Sequence, residues 1–253
     1  MKVTSTEIQN NFGKYLMLAG SEDIIITKNG TEVARLVKGD NILKQKEIMD
    51  SIVKEETPDY YYVQEDEDYG RKATYEEFLK LVENSEIRYE YIDGLIFAQS
   101  SPKTPHQTAL MELTGSFYNW FKGKKCRPMM APYDITLKRN KNDINVVQPD
   151  LMVICDLEEK LGEDGYYKGV PSLTLEILSG SSILKDTHRK MKLYMDTGVQ
   201  EYWLVDPIEK AIFIYNFKNS KHAEMRICQA GDGTKAESYI FEGLSIDPDE
   251  IFR

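Results

Sequence analysis

The sequence predicts a mixed α/β (α+β) protein built as two unequal units, and three observations carry that reading. Two-residue turn signals, Asn29-Gly30 and Asp93-Gly94, each sit between apolar runs, which marks hairpins because such turns need residues that accept positive φ. Apolar residues recur at helical spacing over 105–121 and 183–196. Short apolar runs between those helices read as buried strands. With 253 residues, 41% of them hydrophobic, the chain can bury one ordinary core and a small appendage, which excludes disorder as more than a local feature.

The first unit, 1–54, reads as strand, helix, hairpin. Lys2-Val3-Thr4 forms a short strand. Ser5 caps a helix carrying Ile8, Phe12, Tyr15, Leu16 and Ala19 on one face. Ile24-Ile25-Ile26 and 33–37 then flank the Asn29-Gly30 turn, and a second helix is expected over 42–53. A piece this small needs a partner surface to bury its core. Residues 55–73 form a linker: between Glu55 and Asp68 there are seven acids and no basic residue. Such a run is a solvated spacer or an acidic segment that occupies a basic groove and restrains the protein.

The larger unit, 74–253, opens with the capping box Thr74-Tyr75-Glu76-Glu77, which starts a helix running through Leu81-Val82. Tyr89–Ile92 and Leu95–Ala98 pair across Asp93-Gly94. A helix over 105–121 has Pro105 in its first turn, where a missing N–H costs nothing. Strands are expected around 133–137, 146–154 and 173–178. A helix over 183–196 ending at Gly198 and a hairpin of 202–205 with 212–215 complete the unit.

The formal charge of −10 argues against a protein that coats nucleic acid through its overall field, so local charge must decide. Lys122, Lys124, Lys125, Arg127, Lys138, Arg139 and Lys141 crowd a stretch poor in acids, and Lys185, Arg189, Lys190 and Lys192 form a second group; together they offer a phosphate-facing surface. No apolar run approaches the roughly 18 residues that cross a bilayer, and a cytoplasmic location is expected. Cys126, Cys155 and Cys228 have no zinc-type spacing and are expected as reduced thiols. Phosphate-cradling glycine loops and the G-x-S-x-G elbow are absent from the sequence, which leaves carboxylates as the candidate chemistry.

Asp150 and Glu176 are each set into an apolar strand, where a carboxylate must be paired, protonated or bound to a cation. The pattern admits salt-bridged structural acids or a shared divalent-cation site. Lys190 stands four residues after Asp186 and four before Tyr194, on one ridge of its helix; it is a core-bordering amine or a snorkelling surface lysine. His106 begins the helix over 105–121, as a phosphate contact or a simple helix-end polar group.

The stretches RYEYIDG (88–94), VQPDL (147–151), LEILS (175–179) and KMKLYMDTGVQEYWLVD (190–206) resemble the Uma-type restriction endonuclease family of the PD-(D/E)XK nuclease superfamily. The resemblance covers 74–253 and implies a restriction-endonuclease-like mixed central sheet flanked by helices. It implies a Mg²⁺ or Mn²⁺ site built from Asp150 and Glu176 with help from Glu90, a catalytic lysine at Lys190, and a phosphate contact at His106. The superfamily places its lysine two positions after the glutamate; here Leu178 stands there and the amine has moved to the following helix. Oxygen ligands suit Mg²⁺ or Mn²⁺ rather than zinc.

Residues 1–50, with MKVTSTEI, NFGK (11–14) and IIITKNG (24–30), are similar to the Phd/YefM antitoxin family, whose members dimerise, bind operator DNA and wrap a toxin. The basic residues of this unit are balanced by acids, so dimerisation is the expected inheritance. The sequence therefore points to a metal-dependent endonuclease acting on DNA and forming a homodimer through its N-terminal unit. The rival is a non-catalytic DNA-binding regulator carrying an inactive nuclease fold.

Overall fold

The computed structural model describes residues 1–4, 7, 15, 23–28, 30–36, 70–179, 185–218 and 224–253. Most of the helix expected after Ser5, the helix over 42–53, the acidic run, Asn29, and positions 183–184 of the site helix lie outside the described residues. The chain divides into two compact units, Met1–Val63 and Gln64–Arg253.

In the first unit β1 (Lys2–Thr4) runs parallel to β2 (Ile24–Lys28), which pairs antiparallel with β3 (Thr31–Leu36). Gly30, at φ 82°, makes the turn. Val3, Tyr15 and Ile24 bury one another in a small core.

The second unit carries two large sheets and a two-stranded ribbon, Ala236–Glu237 with Ser245–Ile246. A five-stranded antiparallel sheet contains β4 (Arg71–Lys72), β5 (Tyr89–Ile92), β6 (Leu95–Ala98), β8 (Ile135–Asn140) and β9 (Asp143–Val147), in the order β4-β6-β5-β9-β8. Asp93 at φ 54° and Gly94 at φ 77° make the expected hairpin turn between β5 and β6. A six-stranded mixed sheet contains β7 (Arg127–Met130), β10 (Leu151–Ile154), β11 (Leu173–Ile177), β12 (Glu201–Asp206), β13 (Ala211–Asn216) and β14 (Glu224–Gln229), in the order β14-β13-β12-β11-β10-β7. Only β11 and β12 run parallel; the crossover between them includes a π-helical turn, Lys185–Lys190, and the α-helix that follows it.

α1 (Tyr75–Glu83) starts with the expected Thr74/Glu77 capping box, both bonds present. α2 (Thr104–Phe121) buries Leu110, Leu113, Phe117 and Phe121 against one face of the six-stranded sheet, where they meet Leu151, Leu175 and Trp203. The opposite face presents Met152, Ile154 and Leu204 to a second core. There they meet Ile92, Leu137 and Val147 of the other sheet, together with Leu193 and Tyr194. The short helix α3 (Leu157–Lys160) follows β10, and Leu193 and Tyr194 belong to α4 (Met191–Thr197), which ends at Gly198 with φ 97°. Among the described residues no helix is long and apolar enough to cross a membrane.

Three expectations change. The single strand expected over 146–154 is two strands in two different sheets, broken at Gln148-Pro149-Asp150. Pro149 has no N–H for a ladder, and the chain uses it to pass from one sheet to the other. The regular helix expected over 183–196 begins as a π-helical turn. The cysteines are not all reduced: Cys126 and Cys155 form a disulfide and Cys228 is free. The β7–β10 pairing Arg127↔Ile154, continued by one residue, sets Cys126 opposite Cys155, a register that spacing 29 apart in sequence does not reveal.

Candidate active site

Asp150 stands one residue before β10. The antiparallel register Leu151↔Leu175, continued by one, sets it across from Glu176 of β11. Directly opposed residues share a sheet face with Cβ atoms roughly 5 Å apart, so the two acids start side by side. Asp150 Oδ2 accepts the Ile177 N–H at 2.8 Å and lies 3.2 Å from His106 Nε2. His106 is in the first turn of α2, so this carboxylate sits by the positive end of an 18-residue helix. The His106 Nδ1 is buried with no hydrogen-bond partner among the described residues.

Glu176 is buried, and its Oε1 accepts from Lys190 Nζ at 2.9 Å and from the Tyr194 hydroxyl at 2.5 Å. Asp150 Oδ1 and Glu176 Oε2 accept no hydrogen bond among the described residues. These are the two oxygens open to an added cation.

Glu90 comes from β5 of the other sheet and is fully buried. Its Oε1 takes the Gln148 N–H at 2.9 Å and Lys190 Nζ at 2.7 Å. Its Oε2 takes Gln99 Nε2 and Lys185 Nζ, each at 2.7 Å. Lys190 therefore bridges an acid from each sheet, with Asp186 Oδ1 a further 3.8 Å away.

The two buried carboxylates on Lys190 are pushed in opposite directions. Burial alone raises Glu90, but the ammonium groups of Lys190 and Lys185 and their hydrogen bonds outweigh it and hold the carboxyl at about 2. Burial raises Glu176 as well; Lys190 opposes this, while the charges of Asp186, Asp150 and Glu90 add to it, and the result lies well above the ordinary carboxylate range. Burial would also strip the proton from Lys190, yet Glu176, Glu90 and Asp186 together keep it charged. Burial and the neighbouring acids thus favour the neutral form of Glu176.

The structure brings Glu90, Glu176 and Lys190 into direct contact, and Asp150, beside His106, stands across the strand pair from Glu176. Each oxygen of Glu90, expected as a cation ligand, already accepts two donors, and two of the four are lysines. Among the described residues no group of three or more His, Cys, Asp or Glu is placed to hold a metal ion. The expected basic surface is also reduced. Arg139 is held by Asp93, Asp143 and Asp196 at 2.7, 3.0 and 3.1 Å, while Lys125 and Arg127 face Glu159 and Glu158. Sequence reasoning missed Gln99, the backbone role of Gln148 and the contact of Lys185 with Glu90, none of which has a local pattern that sets it apart.

Residues 75–249 match the profile of Uma2, described as "Putative restriction endonuclease". The chain belongs to the Uma2 family. Uma2 sequence likeness extends to the uncharacterized protein slr1290 of Synechocystis sp., 28% identical over 183 residues that make up 72% of this chain and 92% of that one. A crystal structure from Anabaena variabilis, described as a "putative nuclease belonging to DUF820", superposes with a TM-score of 0.57 at 23% identity. It covers 71% of this chain and 97% of that one. That likeness establishes the restriction-endonuclease-like fold of the Uma2 region.

Proposed function

We propose that this Uma2 protein is a metal-dependent endonuclease that hydrolyses phosphodiester bonds in DNA. The observation that carries the reading is the cross-strand pair Asp150 and Glu176, each with one open carboxylate oxygen, beside the amine of Lys190. Two carboxylates suit Mg²⁺ or Mn²⁺, since Mg²⁺ is commonly held by one or two carboxylates with water and substrate phosphate completing an octahedron. A divalent cation beside Glu176 would also offset the burial and the neighbouring acids that push its carboxyl upward. When bound, the cation supplies Lewis acidity to the scissile phosphate.

The protein's own residues do the rest. Ile177 N–H and His106 fix the orientation of Asp150. Lys190 and the Tyr194 hydroxyl hold Glu176 by Oε1 and leave Oε2 without a described donor. Glu90 locks Lys190 in place and carries no part of the cation's coordination. The N-terminal unit is proposed as an antitoxin-like module that dimerises the nuclease, supported by its strand-plus-hairpin sheet; sedimentation of the full chain as a dimer is the expected result.

The test is nicking of supercoiled plasmid by purified protein with Mg²⁺ or Mn²⁺, comparing wild type with D150A. Wild-type nicking that is lost in the variant supports the reading. Equal nicking by both, or none by either, rejects it and leaves a DNA-binding regulator as the better description.

A further inference from the structure

Two lysines, five residues apart, converge on the single carboxylate of Glu90, and their surroundings differ. Lys190 is 2% exposed and is enclosed by Glu90, Glu176 and Asp186. It cannot donate to an incoming oxygen without leaving a buried acid unpaired. The Lys185 side chain is 12% exposed and meets one carboxylate among the described residues, Glu90 Oε2 at 2.7 Å. An ammonium has three donors, so Lys185 retains N–H groups that no carboxylate among the described residues takes up. Its amine lies 5.8 Å from the centroid of the Phe97 ring, with the Arg189 guanidinium 6.0 Å from the same centroid, which keeps positive charge at the margin of the buried network.

The π-helical turn makes this arrangement. In an α-helix residues five apart are rotated by roughly 140° and point to different sides. Hydrogen bonding from i to i+5 brings positions 185 and 190 onto the same face of one turn, and such turns are frequent at functional sites.

We infer that Lys185, and not the enclosed Lys190, is the lysine that donates to a non-bridging phosphate oxygen of bound nucleic acid. Glu90 serves as the shared anchor that aims both amines. This assignment rests on the nuclease reading above and adds to it the residue that contacts the substrate backbone.

The test is fluorescence anisotropy with the full chain and a labelled 20-base-pair DNA duplex in EDTA, which suppresses cleavage, over a series of salt concentrations. Each phosphate contact contributes a slope of about −0.9 to log K against log salt. K185M should flatten the slope by about that amount and weaken binding by roughly five- to tenfold at 0.1 M salt. K185Q keeps an N–H for Glu90 without the charge and should lose the same slope, whereas K185R should restore it. K168M removes an equal charge from an exposed lysine paired with Asp164 and should leave the slope alone. A K185M or K185Q slope equal to wild type, with wild type still nicking plasmid, overturns the Lys185 assignment alone. Absence of duplex binding by wild type together with absence of nicking overturns the assignment and the nuclease reading together.

Discussion

Removing the amine of Lys190 is the most informative single perturbation of this site. In K190M the neighbouring carboxylates of Glu90 and Glu176 lose a cation 2.7 and 2.9 Å away, in surroundings without solvent. Breaking a buried pair by deleting one partner typically costs about 3–5 kcal/mol. The depressed Glu90 carboxyl points the same way. Burial pushes it up, yet Lys190 and Lys185 bring it from the usual 4.5 to about 2, a net difference worth about 3 kcal/mol.

The sign follows from linkage. A depressed carboxylate contributes its full stabilisation above pH 4.5 and loses it as pH falls toward 2, so wild type should weaken across that window. In K190M the uncompensated Glu90 gains more from protonation, so the penalty of the variant should be largest near pH 8 and shrink on acidification. Urea denaturation followed by tryptophan emission is the assay, since Trp120 and Trp203 both lie in the larger unit. E176Q is the companion variant: neutralising a carboxyl that burial and three neighbouring acids already destabilise should leave the midpoint unchanged or raise it. A K190M cost below about 1 kcal/mol at pH 8, or a cost that does not depend on pH, refutes the ion-network argument.

Two further variants probe the scaffold. Glu201 is fully buried and its Oε2 accepts from Ser238 Oγ and the N–H groups of Tyr239 and Ile240 at 3.1, 2.7 and 3.0 Å, while Oε1 accepts from the Trp203 indole. E201A strands those donors and should cost about 3 kcal/mol, with a red shift of tryptophan emission; unchanged stability would show that the loop finds other acceptors. Arg139 is 19% exposed and joins Asp93, Asp143 and Asp196. R139M leaves three carboxylates facing one another and should cost about 2 kcal/mol at 0.05 M salt and visibly less at 0.5 M, measured by urea midpoint; a salt-independent deficit would point to lost packing instead.

Local signals in the sequence were enough for the hairpin at Asp93-Gly94, the cap at Thr74 and the helix over 104–121, because each is decided by residues close together in the chain. Asp150 and Glu176 were legible for a different reason: an acid inside an apolar strand is costly enough to stand out. The break at Gln148-Pro149-Asp150 was hidden because it joins two apolar runs, Val146-Val147 and Leu151–Ile154, and apolar runs look alike whichever sheet they enter. The alignment of Lys185 with Lys190 escaped because helical spacing at 3.6 residues per turn sets the two apart, and only the wider π-turn brings them to one face. The Cys126–Cys155 pairing and the saturation of Glu90 by four donors depend on register and on sheet-to-sheet packing, which no short window of sequence contains.

Glu90 belongs to one sheet, Glu176 to the other, and the amine that ties them arrives about a hundred residues after the first of them. A ribosome must therefore deliver most of the polypeptide before the buried ion network can form. That network is complete only when the two layers close on the lysine.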